Sequence, residues 1–559
     1  MFSTINEMGN PFMEETKDLV TLDTKRVAHP SMAEKVATHY ETGKKRFDEF
    51  MAILSPGSES NFYDPIKKNK IDFFSQRPEQ ISKDLNQKIL KDDCALFSKL
   101  FISSQARECD LNDFFRYENQ AFPAALSDLG RLHSCQKSQL TSILEDKVTN
   151  ADKIPNAEAI MIDGSALINS LIPRISKTFD EYALLEVIPK VQTYITKYSR
   201  TDIVYDVYKP SSLKAETRSK RGFGARQLVK GNGKIPKNWQ SFMRDDTNKT
   251  ELFHFLADMI VGHCTDNIVY VTQGDTVLCN FEANVDNLAP CNHEEADTRI
   301  FVHVKHSVEK GHKVVLIKAN DTDILVIAVS VLHRLREIGL EKLWLEFGKS
   351  KDVRWIPVHD VSNRLSREES AGILFFHAFS GCDNVSGFKG KGKKSLWQTW
   401  NVCPDVTDVF QKLSIYPPVL NDNDIGIIQR YVVSLYDRSS PVASVDEARF
   451  DMFARKQRSF DAIPPTKASL IQHTKRAAYQ AGCIWAQALT CSMEEINPSD
   501  WGWTLKNNVW TVYWSELPPI AESCKQLTKC GCKQDCRGRC KRFKLSLPCA
   551  ALCSCQCDT

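Results

Sequence analysis

Short apolar runs alternate with helix-period segments between about residues 155 and 400. The runs in "EAIMIDGSALI", "DIVYDVY" and "KVVLIKANDTDILVIAV" are mostly apolar and end in acidic residues. Between them, "FDEYALLEVIPKVQTYITKYS", "KTELFHFLADMIVGH" and "EEADTRIFVHVKHSVEKG" have the spacing of helices. Buried strands that alternate with helices predict an α/β domain with a mainly parallel sheet flanked by helices.

The flanking regions are helical in pattern and carry no catalytic signature. In residues 1–150, "SMAEKVATHYETGKKRFDEFMAIL" has a serine cap and helical periodicity, which favours an accessory region that binds a protein partner. Within the 155–400 region, Ser366 and Glu369 form a capping-box pattern that predicts a helix over "SREESAGILFFHAF". Residues 401–515 are predicted to form helices and loops.

Length and composition are those of an intracellular globular protein. The chain has 559 residues, enough for two to four domains, and its net charge of +3 does not distinguish one class of partner from another. It has no apolar run of about 18 residues and no basic, apolar leader, so neither a membrane span nor a secretory signal is predicted. We therefore expect an intracellular protein with reduced thiols, and its location is predicted to be nuclear.

The C-terminal cysteines are predicted to bind zinc. Nineteen cysteines are present, and nine of them fall within 34 residues. An odd number in a reducing compartment disfavours a closed disulfide set, whereas nine thiolates fill the twelve positions of three tetrahedral Zn²⁺ ions if three thiolates bridge. This structural zinc module (524–557) has as ligands Cys524, Cys530, Cys532, Cys536, Cys540, Cys549, Cys553, Cys555 and Cys557.

The same tail is basic. From Cys524 onward there are eight Lys or Arg and two Asp, a balance that favours contact with DNA phosphates. The candidate contacts are Arg537, Arg539, Lys541 and Arg542.

Acidic residues recur where predicted strands end or helices begin. A single one is often only a helix cap, but several at one sheet edge would repel each other unless hard cations were bound. Carboxylate oxygens suit Mg²⁺ or Mn²⁺, and two such ions are a common device for phosphodiester hydrolysis. The candidates are Asp163, Asp206, Glu295, Asp297, Asp321, Asp323 and Asp383.

Two basic segments lie among these acids. Lys214, Arg218 and Arg221 have helical spacing that places them on one face, either as a phosphate clamp or as a solvated surface. The second segment, "NVSGFKGKGKKS", is suited to backbone and side-chain contacts with phosphate, although Gly/Lys loops are common. Its candidate residues are Gly387, Gly390, Gly392, Lys389, Lys391, Lys393 and Lys394.

The order of the motifs resembles a nuclease family. "IDGSALI", "YDVYKPSSLKAETRSKR", "EEADTR", "NDTD" and "FSGCDNVSGFKGKGKKS" resemble the successive motifs of flap-endonuclease/XPG-type nucleases with a PIN-like fold, over about residues 155–400. The resemblance implies that the seven acids are metal ligands and that Lys214 and Arg221 belong to a gateway helix. It also implies a duplex grip after Asp383. Val207 departs from the family's glycine after the second acid.

The tail resembles a tesmin/TSO1-like CXC domain and, more distantly, pre-SET cysteine clusters, which implies three zinc ions. It departs from the usual CXC form because one compact copy is present. Together these features predict a metal-dependent, structure-specific DNA nuclease with two Mg²⁺ or Mn²⁺ ions, docked on DNA by the zinc tail. The alternative is an inactive nuclease-like DNA or chromatin scaffold derived from a mobile element.

Overall fold

The structure is a computed structural model of the chain. It describes residues 18–21, 25–54, 115–120, 122–151, 153–209, 211–214, 218, 224–348, 352–455, 458–459 and 462–518. Arg221 and the predicted zinc module at 524–557 lie outside the described residues.

The described residues belong to two compact units. One unit contains those of Met1–Ile81, Ile168–Gln192 and Arg221–His263. The other contains those of Ser82–Leu167, Thr193–Lys220 and Cys264–Thr559.

A seven-stranded sheet forms the centre of the second unit. Its strands are β1 (Ala159–Asp163), β2 (Arg200–Val204), β3 (Ile268–Gln273), β4 (Thr276–Cys279), β5 (Val314–Lys318), β6 (Lys342–Phe347) and β7 (Arg354–Pro357). Their spatial order is β4-β3-β2-β1-β5-β6-β7. The five inner strands are parallel, and β4 and β7 add antiparallel edges. The prediction of an α/β fold with a mainly parallel sheet flanked by helices is therefore confirmed.

The sequence explains why β1 lies in the middle of the sheet. Its residues Ala159–Ile162 are apolar and buried, as expected for a strand covered on both faces. It pairs with β2 on one side and with β5 on the other. The carboxyl ends of these three strands consequently meet at one edge of the sheet.

Helices cover the sheet and carry the chain beyond it. Those that build the site are α1 (Ser138–Glu145), α2 (Ala296–Glu309), α3 (Thr322–Glu337), α4 (Arg367–Phe379) and α5 (Lys393–Val402). Further helices of this unit are Val358–Arg364, Val406–Lys412, Asp422–Tyr436, Val445–Phe450 and Lys467–Ala478. Two short antiparallel ribbons pair Ser127–Asp128 with Arg131–Leu132 and Trp503–Lys506 with Val509–Val512.

Helices α3 and α4 lie in the core. The apolar run "ILVIAV", expected to follow the strand-like pattern, is instead the first half of α3, where all six residues are buried. Helix α4 begins with the predicted capping box, in which Ser366 accepts from Glu369 N–H and Glu369 accepts from Ser366 N–H. A helix buried on all sides has no apolar stripe, so periodicity alone cannot distinguish it from a strand.

Helices joined by irregular segments make up the described part of the first unit. Its helices are Pro30–Ala37, His39–Leu54, Phe179–Tyr182, Trp239–Phe242 and Asp246–His263. The first two confirm the helical prediction over Ser31–Leu54, with an interruption at Thr38. Two further helices, Gly164–Ser170 and Ile188–Ile195, each have residues in both units. Among the described residues, no helix is long and apolar enough to cross a bilayer.

Candidate metal centre and nucleic-acid interface

The central strands deliver three acids to one edge of the sheet. Asp163 is the last residue of β1 and pairs in register with Val204, so Asp206 lies two residues beyond the equivalent point of β2. Asp321 follows β5 by three residues and caps α3, where its carboxylate accepts the N–H of Asp323 at 3.0 Å. The strand ends and a helix cap thus explain why these side chains share one region.

A possible metal site lies at the starts of two helices. Oxygen atoms of Asp297, Asp321 and Asp323 all lie within 4.8 Å of one another. Asp297 is in the first turn of α2, and Asp323 is in the first turn of α3, where its side chain is only 2% exposed. Three carboxylates that converge this closely provide the oxygen ligands that Mg²⁺ and Mn²⁺ prefer.

Burial and mutual repulsion outweigh the nearby charges of Lys214 and Lys137 at three acids of this cluster. Burial, with repulsion from Asp206 and Asp321, raises the pKa of Asp163 to about 7. Burial and the charge of Asp323 raise the pKa of Asp321 to about 6, and burial with Asp321 raises the pKa of Asp297 well above its ordinary value. A divalent cation would relieve this repulsion, so the side chains present fit such an ion.

A buried carboxylate oxygen supports the same fit. Oε2 of Glu295 is buried and has no hydrogen-bond partner among the described residues. Its other oxygen forms an ion pair with Lys214, whose side chain is 18% exposed. Asp206 accepts the N–H of Ala296 at 2.9 Å, which ties the end of β2 to the start of α2. Glu295 therefore retains one oxygen that can bind a cation.

Lys137, which no pattern in the sequence singles out, lies within the acidic cluster. Its ammonium donates to Asp323 Oδ2 at 2.9 Å and to Asp321 Oδ1 at 3.4 Å, and it forms an ion pair with Asp383 Oδ1 at 2.8 Å. Although burial alone would raise the pKa of Asp323, Lys137 and a hydrogen bond from His377 hold it well below its ordinary value. Asp323 is therefore ionised and already compensated.

His377 supports Asp323 from the core. Its Nε2 lies 2.8 Å from Asp323 Oδ1, and its ring stacks on Trp485 with centroids 5.4 Å apart. Burial, with Lys393, lowers the pKa of His377 to about 4, so the neutral ring donates its Nε2–H to the carboxylate. Neither chemistry nor spacing singled out this histidine, because a lone His in the apolar run "ILFFHAF" is usually a core residue.

The predicted basic helix is only partly described. Lys214 pairs with Glu295, and Arg218 donates to Glu294 Oε1 at 2.8 Å and to the carbonyl of Lys209 at 3.1 Å. Arg221 lies outside the described residues. Both described cations thus bind acids at the start of α2, next to the cluster.

The Gly/Lys segment joins α4 to α5. It contains an antiparallel bridge between Phe388 and Lys391, and Gly392 is the N-cap of α5. Lys389 and Lys394 are exposed, and the ammonium of Lys391 lies 5.1 Å from the ring centroid of Tyr436. Asp383 therefore lies between α4 and this short hairpin, which leads into α5.

Lys393 differs from its predicted role in contacting nucleic acid. Its side chain is fully buried, and Nζ donates to the carbonyl of His377 and to Ser380 Oγ, both at 2.8 Å. Burial lowers its pKa to about 8. In this structure Lys393 connects α5 to the end of α4 and is not available to a phosphate.

The comparisons with known proteins yield structural similarities alone. No protein-family model and no curated protein matches the sequence. The chain is similar to the D15 flap endonuclease of bacteriophage T5 in a pseudo-enzyme–product complex with DNA and metal ions. The identity is 12% and the TM-score 0.28, over 59% of this chain and 96% of that chain. It is also similar to the catalytic core of Rad2 in complex with a DNA substrate, at 12% identity and a TM-score of 0.26, over 57% and 95%. Because these TM-scores lie below 0.5, neither similarity decides fold or function.

Proposed function

We propose that this chain is a divalent-metal-dependent nuclease, with a PIN-like fold of flap-endonuclease/XPG type, that hydrolyses phosphodiester bonds in structured DNA. The observation that supports this function is the convergence of Asp297, Asp321 and Asp323 oxygens within 4.8 Å of one another. Asp163 and Asp206 reach the same edge of the parallel sheet, where ligands of such folds usually bind.

The residues of the cluster have distinct tasks in this mechanism. Asp163, Asp297 and Asp321 would hold a divalent cation, which when bound supplies a water of lowered pKa and polarises a phosphoryl oxygen. Lys214, partly exposed beside Glu295, is placed to offset negative charge that develops on the phosphate. The exposed Lys389 and Lys394 would bind backbone phosphates and so fix the position of the duplex.

The test is a cleavage assay on flap, bubble and hairpin DNA with and without Mg²⁺ or Mn²⁺. We expect metal-dependent cutting, and Asp297→Asn should reduce its rate by more than about 100-fold. Mutating a residue that only supports a metal ligand costs up to about 100-fold, so loss of a ligand itself should cost more. The matched control is Asp286→Asn, an exposed aspartate outside the cluster. Absence of cutting by the unsubstituted chain on every substrate would overturn the proposal.

A second candidate function is a nuclease-like scaffold that binds DNA without cutting it. It is favoured by the ammonium of Lys137, which already compensates Asp323 and Asp383. This candidate predicts DNA binding that needs no divalent ion and an acidic cluster that binds no Mn²⁺. The cleavage assay and a Mn²⁺ titration on the same preparation distinguish the two functions.

We also propose that the cysteine-rich tail binds three structural Zn²⁺ ions and docks the protein on nuclear DNA. Nine cysteines within 34 residues and a balance of eight basic to two acidic residues support this role. Zinc would stabilise a segment too short to build a hydrophobic core of its own.

A further inference from the structure

Lys137 places a positive charge where a metal-dependent site would hold a cation. Its ammonium forms ion pairs with three carboxylates, Asp383, Asp323 and Asp321, at 2.8, 2.9 and 3.4 Å. The side chain is only 16% exposed, so these contacts are not solvent-exposed surface ion pairs. Asp323 is 2% exposed, and a buried ammonium and carboxylate stabilise the folded chain only when they remain paired.

The neighbours of Lys137 hold it in this position. Two residues before it, the thiol of Cys135 donates to the carbonyl of Gly381 at 2.8 Å, beside Asp383. Four residues after it, the hydroxyl of Thr141 lies 2.9 Å from that of Thr322, next to Asp323. Lys137 is thus fixed on both sides to the segments that carry its acidic partners.

The cluster therefore has two differently charged halves. Asp323 and Asp383 are compensated by Lys137, whereas no Lys or Arg among the described residues forms an ion pair with Asp163, Asp206 or Asp297. The oxygens of Asp163 and Asp206 accept backbone N–H groups, from Ala166 and Ala296 respectively. Asp321 belongs to both halves, because it is 3.4 Å from Lys137 and within the Asp297–Asp321–Asp323 triad.

We propose that Lys137 is a built-in cation that takes one of the two cation positions, so that the chain binds a single divalent ion beside Asp163, Asp206, Asp297 and Asp321. This inference rests on the proposed nuclease function and refines it, since two ions are expected from sequence. An ammonium donates hydrogen bonds to phosphate oxygens but has no open coordination position for water. Water activation then belongs to the Asp163 half, and Lys137, held by its three carboxylates, contributes only a fixed positive charge near the phosphate.

The experiment counts Mn²⁺ ions on the full chain by electron paramagnetic resonance and by calorimetric titration, before any DNA is added. We expect one Mn²⁺ per chain for the unsubstituted protein and two for Lys137→Met, which keeps the length of the side chain without its charge. In the variant, two ions that share Asp321 should give a spin-coupled signal. Lys342→Met, an exposed lysine at the start of β6, should keep one ion.

Each other result has a distinct meaning. Two ions on the unsubstituted chain, or one ion on a folded Lys137→Met chain, would overturn the inference and leave the nuclease proposal standing. No Mn²⁺ on either chain would contradict the nuclease proposal itself, and the inference with it. If Lys137→Met does not fold, Lys137→Arg replaces it: the larger cation should preserve one ion, and a second ion there would overturn the inference.

Discussion

Asp163 and Asp321 retain protons at a pH where ordinary aspartates are fully ionised. Burial is the main cause for both, and neighbouring carboxylates add to it. Their pKa values of about 7 and about 6 lie well above the usual 3.8. Because such groups interact, the cluster titrates as a unit, and its protons and a bound metal compete for the same oxygens.

The first prediction concerns stability against pH. Between the unfolded pKa near 4 and the folded values of about 6 and 7, the folded chain binds more protons than the unfolded chain. Without divalent ions, the free energy of unfolding should therefore fall as pH rises from about 4 to about 7. The fall is at most about 1.4 kcal/mol for each unit by which the pKa of Asp163 is raised, and less for Asp321, whose side chain is 36% exposed. Added Mn²⁺ should reverse this slope. Denaturant midpoints measured across that range check it.

The control for this prediction removes one of the titrating groups. Asp163→Asn should flatten the slope, since a neutral amide has no proton to lose, whereas the exposed Asp286→Asn should leave it unchanged. A metal-free protein that gains stability from pH 4 to pH 7 would contradict this distribution of charge. The compensated Asp323 does not obscure the result, because its pKa is lowered and it titrates below this range.

The residues that sequence reasoning missed share a physical reason. The acids were visible because each follows an apolar strand or opens a helix. Lys137 precedes α1 in a segment assigned to a helical accessory region, and it reaches the site through contacts that span 184 to 246 positions along the chain. His377 lies in an apolar helix, and no neighbouring residue in the sequence indicates that it contacts Asp323. Pairings over such distances leave no local pattern in a sequence.

At the level of elements, the turn after α4 determines where Asp383 lies. Gly381 has φ +110°, a conformation that side chains other than glycine rarely adopt. A Cβ there would lie 2.9 Å from Cys135 Cβ and from Gly387 Cα. The turn therefore needs both the backbone freedom and the small size of glycine, and it brings the Lys137 segment close to the Gly/Lys hairpin.

The second prediction is a matched pair of glycine substitutions. Gly381→Ala should lower the free energy of unfolding by about 2 kcal/mol or more, because it adds a strained conformation to a steric overlap. It should also weaken Mn²⁺ binding by displacing Asp383 and Lys137. Chemical denaturation and Mn²⁺ titration measure the two effects.

The control is Gly426→Ala in the helix Asp422–Tyr436. A Cβ there meets nothing within 4 Å, so alanine should raise stability by up to about 1 kcal/mol through helix propensity. A Gly381→Ala chain as stable as the Gly426→Ala chain would show that the turn tolerates a side chain and is under no steric constraint.

For the whole molecule, the sequence pattern is sufficient to predict the strands of the sheet, but it is not sufficient to predict the helices packed around the sheet. The apolar runs that end at Asp163 and just before Asp206 predicted parallel strands with acids at one edge, because burial on both faces produces a continuous apolar run. The run after Asp321 is ambiguous, since the first half of α3 is also buried on all sides. Lys393 looked like a surface lysine in a Gly/Lys loop, and only the packing of α5 against α4 shows it buried.

The tail adds the last prediction, which concerns how the whole protein binds DNA. If it is a zinc module that contacts phosphates, each phosphate that it neutralises releases condensed counterions and makes binding more sensitive to salt. The tail's basic residues then contribute affinity without sequence preference. The four candidates are Arg537, Arg539, Lys541 and Arg542.

Changing these four residues to Gln should reduce the slope of log affinity against log salt by up to about 3.6, at about 0.9 for each phosphate that the tail no longer neutralises. Elemental analysis should still find three Zn²⁺ per chain, because no thiolate is altered, whereas Cys532→Ser should lower the zinc content. Cleavage at saturating DNA should be unchanged, since the carboxylates that would act on phosphate precede the tail by more than 100 residues. An unchanged salt slope would refute the docking role and leave zinc with a purely structural one.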